Sequence, residues 1–204
     1  MARPRNTEAR REQIVDGLLE VMASEGYARA TIAAIGKAAG LSPGLLHYHF
    51  ESKQEILVAL VERLTGTLEA RIQARQEAAG AQPFSQLEAY LEACVGLGPD
   101  ADPRAVSAWV VVGAEAVREP QVRALYTQAA GSMLAQLRRL VTGALRARAR
   151  STRSAPRIAA ALLSAIEGAY RISAAAPGLL PEGFATPMLR QMAASLIAAE
   201  GERT

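Results

Sequence analysis

Apolar residues recur every three to four positions along almost the whole chain, and strict alternation is absent. A sequence with that period buries its apolar positions by forming amphipathic helices. Ile14, Leu18, Val21 and Met22 share one face of a first helix, which stops at Gly26. Thr31 is placed to cap a second helix carrying Ile32, Ile35 and Ala39 and stopping at Gly40. Ser42 caps a third, with Pro43 at the first helical position, where its missing N–H costs nothing. That helix is short and ends near Phe50. Ser52-Lys53-Gln54-Glu55 reads as a capping box opening a fourth, continued by Ile56, Leu60, Leu64, Leu68 and Ile72.

After a break at 80–83 the helices lengthen and prolines punctuate them. Phe84, Leu87, Leu91, Cys94 and Val95 form one stripe, ended by Gly96-Leu97-Gly98-Pro99. Asp102-Pro103 opens the next, Pro120 a long one, Ser154 and Pro156 another. Thr186-Pro187 opens the last, which carries Leu189, Met192, Leu196 and Ile197. The reading predicts an all-α chain of about nine helices. Residues 1–52 form a three-helix helix-turn-helix domain, 53–80 a connecting helix, and 81–204 a second helical domain.

Composition narrows the function classes. Half of the 204 residues are hydrophobic but only 4% aromatic, which suits a helical core of small and aliphatic groups. The net charge of +3 permits a polyanionic partner. Cys94, the single cysteine, excludes a disulfide framework and a cysteine-built zinc site. The two histidines, His47 and His49, stand two apart and point away from each other on a helix. No nucleophile–base pair, glycine-rich phosphate loop or metal constellation stands out, so neither an enzyme nor a cofactor is expected. No run reaches the roughly 18 uninterrupted apolar residues that span a bilayer. Asp16, Glu20 and Glu25 interrupt what would be a leader. A soluble cytoplasmic protein without a membrane partner is expected.

Residues 31–50, TIAAIGKAAGLSPGLLHYHF, carry the functional signal. Gly40 takes a left-handed backbone conformation at low cost, and Leu41 fits the seam of the two helices that flank it. The result is a helix-turn-helix, whose second helix enters the DNA major groove. Leu46 and Phe50, four apart, supply the apolar back of that helix. Gly44, Leu45, His47, Tyr48 and His49 are left for the duplex: Gly44 for close approach, Leu45 for a thymine methyl, the three rings for phosphates. Lys53, in the next helix's first turn, shares a phosphate with the helix amides. Read on periodicity alone, the same turn is also compatible with plain helix packing.

Residues 8–57 resemble the DNA-binding domain of the TetR family of bacterial transcriptional regulators. The resemblance rests on Gly26-Tyr27, Thr31-Ile32, Ala39-Gly40-Leu41-Ser42, Gly44-Leu45-Leu46, His49-Phe50, Lys53 and Leu57. It implies that Thr31 contacts a backbone phosphate, that Ser42, Pro43, Gly44 and Leu45 face the bases, and that Tyr48, His49 and Lys53 hold phosphates. His47 stands where the family usually has a tyrosine, and an imidazole reaches less far. Ala33 and Ala34 replace residues that are often polar, so base contacts from there are few.

The second half is similar to the subgroup that includes the choline-responsive repressor of betaine-synthesis genes, through Ala108-Trp109, Glu119-Pro120, Leu125-Tyr126 and Glu167-Gly168. The resemblance makes 81–204 a ligand-binding and dimerisation domain. Its last two helices would pair with a second copy through Leu162, Ile166, Ala169, Leu189, Met192 and Leu196. The other reading of these residues is that both helices close the monomer core. Trp109, Glu115, Tyr126, Met133, Glu167, Tyr170 and Arg171 are the candidates for a small-molecule effector pocket. Each also has a plain structural role open to it, core packing for Trp109 and a surface pair for Glu167 and Arg171.

Two basic features keep two readings each. Arg3, Arg5, Arg10 and Arg11 form either a solvated arm or support on flanking DNA. Eight arginines and no carboxylate lie between Pro120 and Ile166, either a solvated face or a second polyanion contact. The sequence therefore describes a ligand-responsive repressor binding a palindromic double-stranded operator as a homodimer. The other reading is a helical dimerisation protein without specific DNA binding.

Overall fold

A computed structural model describes residues 3–96 and 102–201, with side chains from Thr7 onward. The expected break at Leu97-Gly98-Pro99 and the side chains of Arg3 and Arg5 lie outside the described residues. Nine α-helices are present among the described residues: α1 (Arg3–Glu25), α2 (Ile32–Ala39), α3 (Pro43–His49), α4 (Lys53–Ala78), α5 (Pro83–Val95), α6 (Pro103–Glu115), α7 (Pro120–Ala147), α8 (Ala155–Ala175) and α9 (Ala185–Ala198). A 3-10 turn over Tyr27–Arg29, which periodicity did not reveal, links α1 to α2.

The contacts divide the chain into two compact units, 1–66 with 102–126, and 67–101 with 127–204. The packing thus groups α6 with the N-terminal helices, whereas the sequence reading had placed it in the second domain. Helices α4 and α7 each continue from one unit into the other.

Local chemistry explains most boundaries. The Thr31 hydroxyl accepts from the Ala34 N–H at 3.1 Å and caps α2. Gly40, at φ 65°, ends it: the Leu41 N–H bonds the Gly36 carbonyl at 2.8 Å and the Gly40 N–H bonds Lys37 at 3.2 Å, the Schellman pattern. The Ser42 side chain, expected to cap α3, makes no capping bond. The Ser52 hydroxyl accepts from the Glu55 N–H at 3.2 Å, but Glu55 returns its bond to the Glu51 N–H at 2.7 Å rather than to Ser52. Asp102 caps α6 through the Arg104 N–H at 2.9 Å. The last helix starts two residues earlier than the Thr186 cap predicts, because the Phe184 carbonyl already accepts from Met188.

In the N-terminal unit, α1 buries Ile14, Val15, Leu18, Leu19, Val21 and Met22. At Gly17 a Cβ would stand 2.8 Å from the Ile35 carbonyl and 2.9 Å from the Ala39 Cβ, so α1 and α2 meet backbone to backbone. In the C-terminal unit, Leu87, Tyr90, Leu91, Leu137, Val141, Leu162, Ile166, Leu189 and Ile197 form one apolar cluster.

Three of the eight arginines have structural partners. Arg123 bonds the carbonyls of Ala116 and Val117 at the end of α6, Arg150 bonds the Glu200 carbonyl, and Arg148 lies over the Phe84 ring. Helix α8 is long and apolar enough to cross a bilayer by length and composition. Its Ile158, Ala159, Leu162 and Ile166 are instead taken up by the core, and Glu167 and Arg171 interrupt the rest.

Candidate nucleic-acid interface

Helix α3 is seven residues long and amphipathic in the sense the sequence predicts. Leu46 (0% exposed) and Phe50 (2%) anchor its back. Leu46 reaches over Gly36, where an added Cβ would stand 3.6 Å from the Leu46 Cδ1. The opposite face holds Ser42, Pro43, Gly44, His47 and Tyr48, all exposed, with Tyr48 at 72%. Leu45 and His49 are half-buried. The Tyr48 and His49 rings meet edge to face, with centroids 4.9 Å apart. A large aromatic ring held that far into solvent loses the apolar stabilisation of burial, which a groove would restore.

The helix-turn-helix is held from behind by α1. The Gln13 amide donates to the Ala39 carbonyl at 2.7 Å, capping the end of α2. Arg10 fixes that amide from the other side, donating to Gln13 Oε1 at 2.7 Å. Arg11 donates to the His49 carbonyl at the end of α3, lies 4.0 Å from the Phe50 ring centroid, and pairs with Glu55 of α4 at 3.5 Å. A cation at a helix C-terminus is favourable through both the hydrogen bond and the dipole. Arg10 and Arg11, read in sequence as arm residues, therefore brace the helices. Nothing in the local sequence separates the two roles, since Gln13, which Arg10 holds, reaches 26 residues ahead to Ala39 and Arg11 reaches 38 ahead to His49.

Thr31 is exposed and Lys53 half-buried. Lys53 Nζ donates to the Tyr27 carbonyl at 3.1 Å and sits 3.9 Å from the centroid of the same ring.

The effector candidates are divided between the two units. Trp109, Glu115 and Tyr126 belong to the N-terminal unit, Met133, Glu167, Tyr170 and Arg171 to the C-terminal one. Trp109 is buried and stacks on Tyr126, with centroids 5.2 Å apart, and Gly113 leaves room for the Tyr126 ring. Glu115 lies near Tyr27, whose phenol is pushed up by burial and then by the charges of Glu115 and Glu119. In the C-terminal unit Met133 joins the core and Arg171 is exposed. Tyr170 donates to the Cys94 carbonyl at 2.8 Å, which also accepts from Arg71 at 3.4 Å. The Glu167 carboxylate acts on both the Cys94 thiol and the Tyr170 phenol. A shallow open groove of about 670 Å³, lined by Ile72, Gln73, Gln76, Gln86 and Gln136 among others, holds none of the seven.

Burial pushes the Cys94 thiol up to about 12. The thiolate is the nucleophile, so at pH 8 native Cys94 is expected to resist iodoacetamide and to react fully once guanidinium unfolds the chain. Mass spectrometry of the alkylated protein reads the result, and rapid native labelling would contradict it.

The interface residues need one correction. Leu162, Ile166 and Leu189 lie inside the chain's own core, at 0, 0 and 4% exposure, so they do not face a partner. Helices α8 and α9 use that side to pack on each other and on α5. Ala169, Met192 and Leu196 are half-buried.

Comparisons with known proteins agree with this architecture. Residues 14–60 match the bacterial regulatory proteins of the tetR family, and residues 83–198 match the C-terminal domain of the BetI-type transcriptional repressors. The HTH-type transcriptional regulator BetI of Rhizobium meliloti is 34% identical over 116 residues, 57% of this chain and 56% of that protein. BetI of Escherichia coli K12 is 30% identical over 131 residues, 63% of this chain and 66% of its own length. The chain thus spans little more than half the length of the first of these relatives. Among solved structures, a Pseudomonas aeruginosa PAO1 regulator superposes with a TM-score of 0.82 at 18% identity, covering 94% of this chain and 92% of its own. A Saccharomonospora viridis regulator crystallised with choline gives 0.76 at 23%, covering 96% and 99%. These likenesses show the shared fold. With the second family match extending over more than half of the residues, this chain belongs to the TetR family and carries the BetI-type C-terminal domain.

Proposed function

We propose that the chain is a transcriptional repressor, a homodimer that reads a palindromic operator with two copies of α3 and is released by a small-molecule effector. The observation that carries the reading is α3 itself, with Leu46 and Phe50 sealed inside and Ser42, Pro43, Gly44, His47 and Tyr48 turned outward. Exposed polar rings on a braced, short helix suit a DNA groove edge.

A second copy is supported by the surface of α8 and α9. Only 28% of the apolar window of α8 is buried within the chain. Ile172 and Met188 are exposed at 37 and 54%, and a Cβ at Gly168 would meet nothing within 4 Å. Two recognition helices must also stand roughly 34–36 Å apart to read both half-sites, which one chain does not provide.

The effector is proposed to act in the C-terminal unit, at the polar cluster of Arg71, Cys94, Glu167 and Tyr170. Arg71 Nε is buried there without an acceptor among the described residues, and an effector's acceptor oxygen would satisfy it. Choline, held by the Saccharomonospora viridis regulator, offers a hydroxyl oxygen and is the first compound to titrate.

The test is a fluorescence-anisotropy titration against duplex from the protein's own upstream region. Sequence-specific binding is expected, weakening about 10³–10⁵-fold between 50 and 200 mM salt if six to ten phosphates are contacted. His47→Ala and Tyr48→Ala together are expected to weaken it about tenfold or more while the oligomer stays intact, one good polar contact being worth about 1–3 kcal/mol. An intact helical dimer with no specific shift at low salt would leave only the dimerisation reading.

A further inference from the structure

Lys53 and Lys37 are the two lysines of a chain whose other basic residues, apart from histidine, are all arginine. Lys53 is held more tightly than a half-buried lysine needs to be. Its ammonium has three protons. One goes to the Tyr27 carbonyl at 3.1 Å, and the face of the Tyr27 ring takes up the same charge at 3.9 Å. A third N–H remains for another acceptor. The Tyr27 ring is itself fixed, 8% exposed, with its hydroxyl 3.2 Å from Gln54 Oε1. Tyr27 therefore grips the first turn of α4 at two successive residues, Lys53 by its ring and carbonyl and Gln54 by its hydroxyl. Helix α6 packs against the 3-10 turn that carries Tyr27.

We infer that Tyr27 is a positioning residue for DNA binding: it holds the Lys53 ammonium in place in the free protein, so that its third N–H meets an operator phosphate without first being ordered. The inference rests on the repressor reading. A free lysine side chain loses most of its rotamer freedom when it is fixed on a phosphate. Pre-ordering it moves that cost out of the binding step. Arginine at the same position would not serve alike. Its planar fork spreads the charge over a larger group, while the compact ammonium fits a carbonyl, a ring face and a phosphate oxygen together.

The test combines two measurements on the full chain. In protein labelled with 13C-lysine, the Lys53 ε-methylene signal is expected upfield of that of Lys37, from the ring current of Tyr27, and to lose that shift in Tyr27→Leu. An unshifted Lys53 signal in the wild type overturns the inference, even if the variant fails to fold. In anisotropy titrations against the upstream duplex, Lys53→Met is expected to lower the slope of log K against log salt by about 0.9, one phosphate contact. Tyr27→Leu is expected to weaken binding about five- to tenfold, the scale of one lysine's ordering. The double variant should bind no worse than Lys53→Met, and Tyr27→Phe should rescue most of the loss. Additive losses, or an unchanged slope in Lys53→Met with specific binding intact, overturn the inference and leave the repressor reading standing. A wild type that binds no specific duplex overturns both, whatever the lysine spectrum shows.

Discussion

Truncating Leu46 to alanine is expected to cost the N-terminal unit about 2–5 kcal/mol, the range for removing a fully buried leucine. Leu46 is 0% exposed and is the one buried residue of α3. Its Cδ1 lies over Gly36, where α2 has no side chain to fill the space it would leave. The helix it anchors is only seven residues long and does not stand alone. Loss of the anchor should therefore free the whole reading surface, and operator binding should fall below detection before the fold is lost. Trp109, the only tryptophan, belongs to the same compact unit, so its emission during thermal unfolding follows this part of the chain. A Leu46→Ala protein with wild-type Trp109 melting and wild-type affinity would mean that α3 is anchored elsewhere.

Replacing Gly168 by arginine is expected to convert the proposed dimer to a monomer and to weaken operator binding by about 10²–10⁴-fold, the gain that joining two half-site readers provides. The position isolates assembly from folding. A Cβ there meets nothing within 4 Å in the single chain, and the residue lies within a helix, where arginine is favoured over glycine by roughly 0.8 kcal/mol. The lone chain should be as stable as before. Across a helix-to-helix face of small residues, the same arginine brings bulk and an unpaired charge. Light scattering behind a sizing column reads the mass directly. A variant that elutes and scatters as the wild type would move the proposed interface away from this face of α8.

The parts of the fold legible in sequence were those decided within a few residues. The Thr31 cap, the left-handed turn at Gly40, the proline starts of α3, α6 and α7 and the inward pair Leu46 and Phe50 each follow from neighbours in the chain. The features it concealed depend on partners far along it. Arg11 and Gln13 are indistinguishable from solvated helix residues until the ends of α3 and α2 arrive beside them. Lys53 reads as a free cation until Tyr27 is placed under it. The apolar stripe of α8 has two sides of similar character. Only packing decided that Leu162 and Ile166 would turn into the core, leaving Gly168 half-buried and Ile172 exposed. Trp109 and Tyr126 match the pattern of a pocket wall, yet they stack on each other in the unit that carries the helix-turn-helix.

The grips at Ala39 and His49 come from side chains only two residues apart on a single helix. Scaffold and reading surface are thus yoked, and neither short helix can be re-aimed by itself without unlatching a bond to α1. If the chain is the proposed repressor, operators calling for a different pitch between the two would be discriminated against before any base is touched. Evolution of a new target sequence in this chain is then steered toward exchanging side chains at 42–48 and away from re-angling the pair.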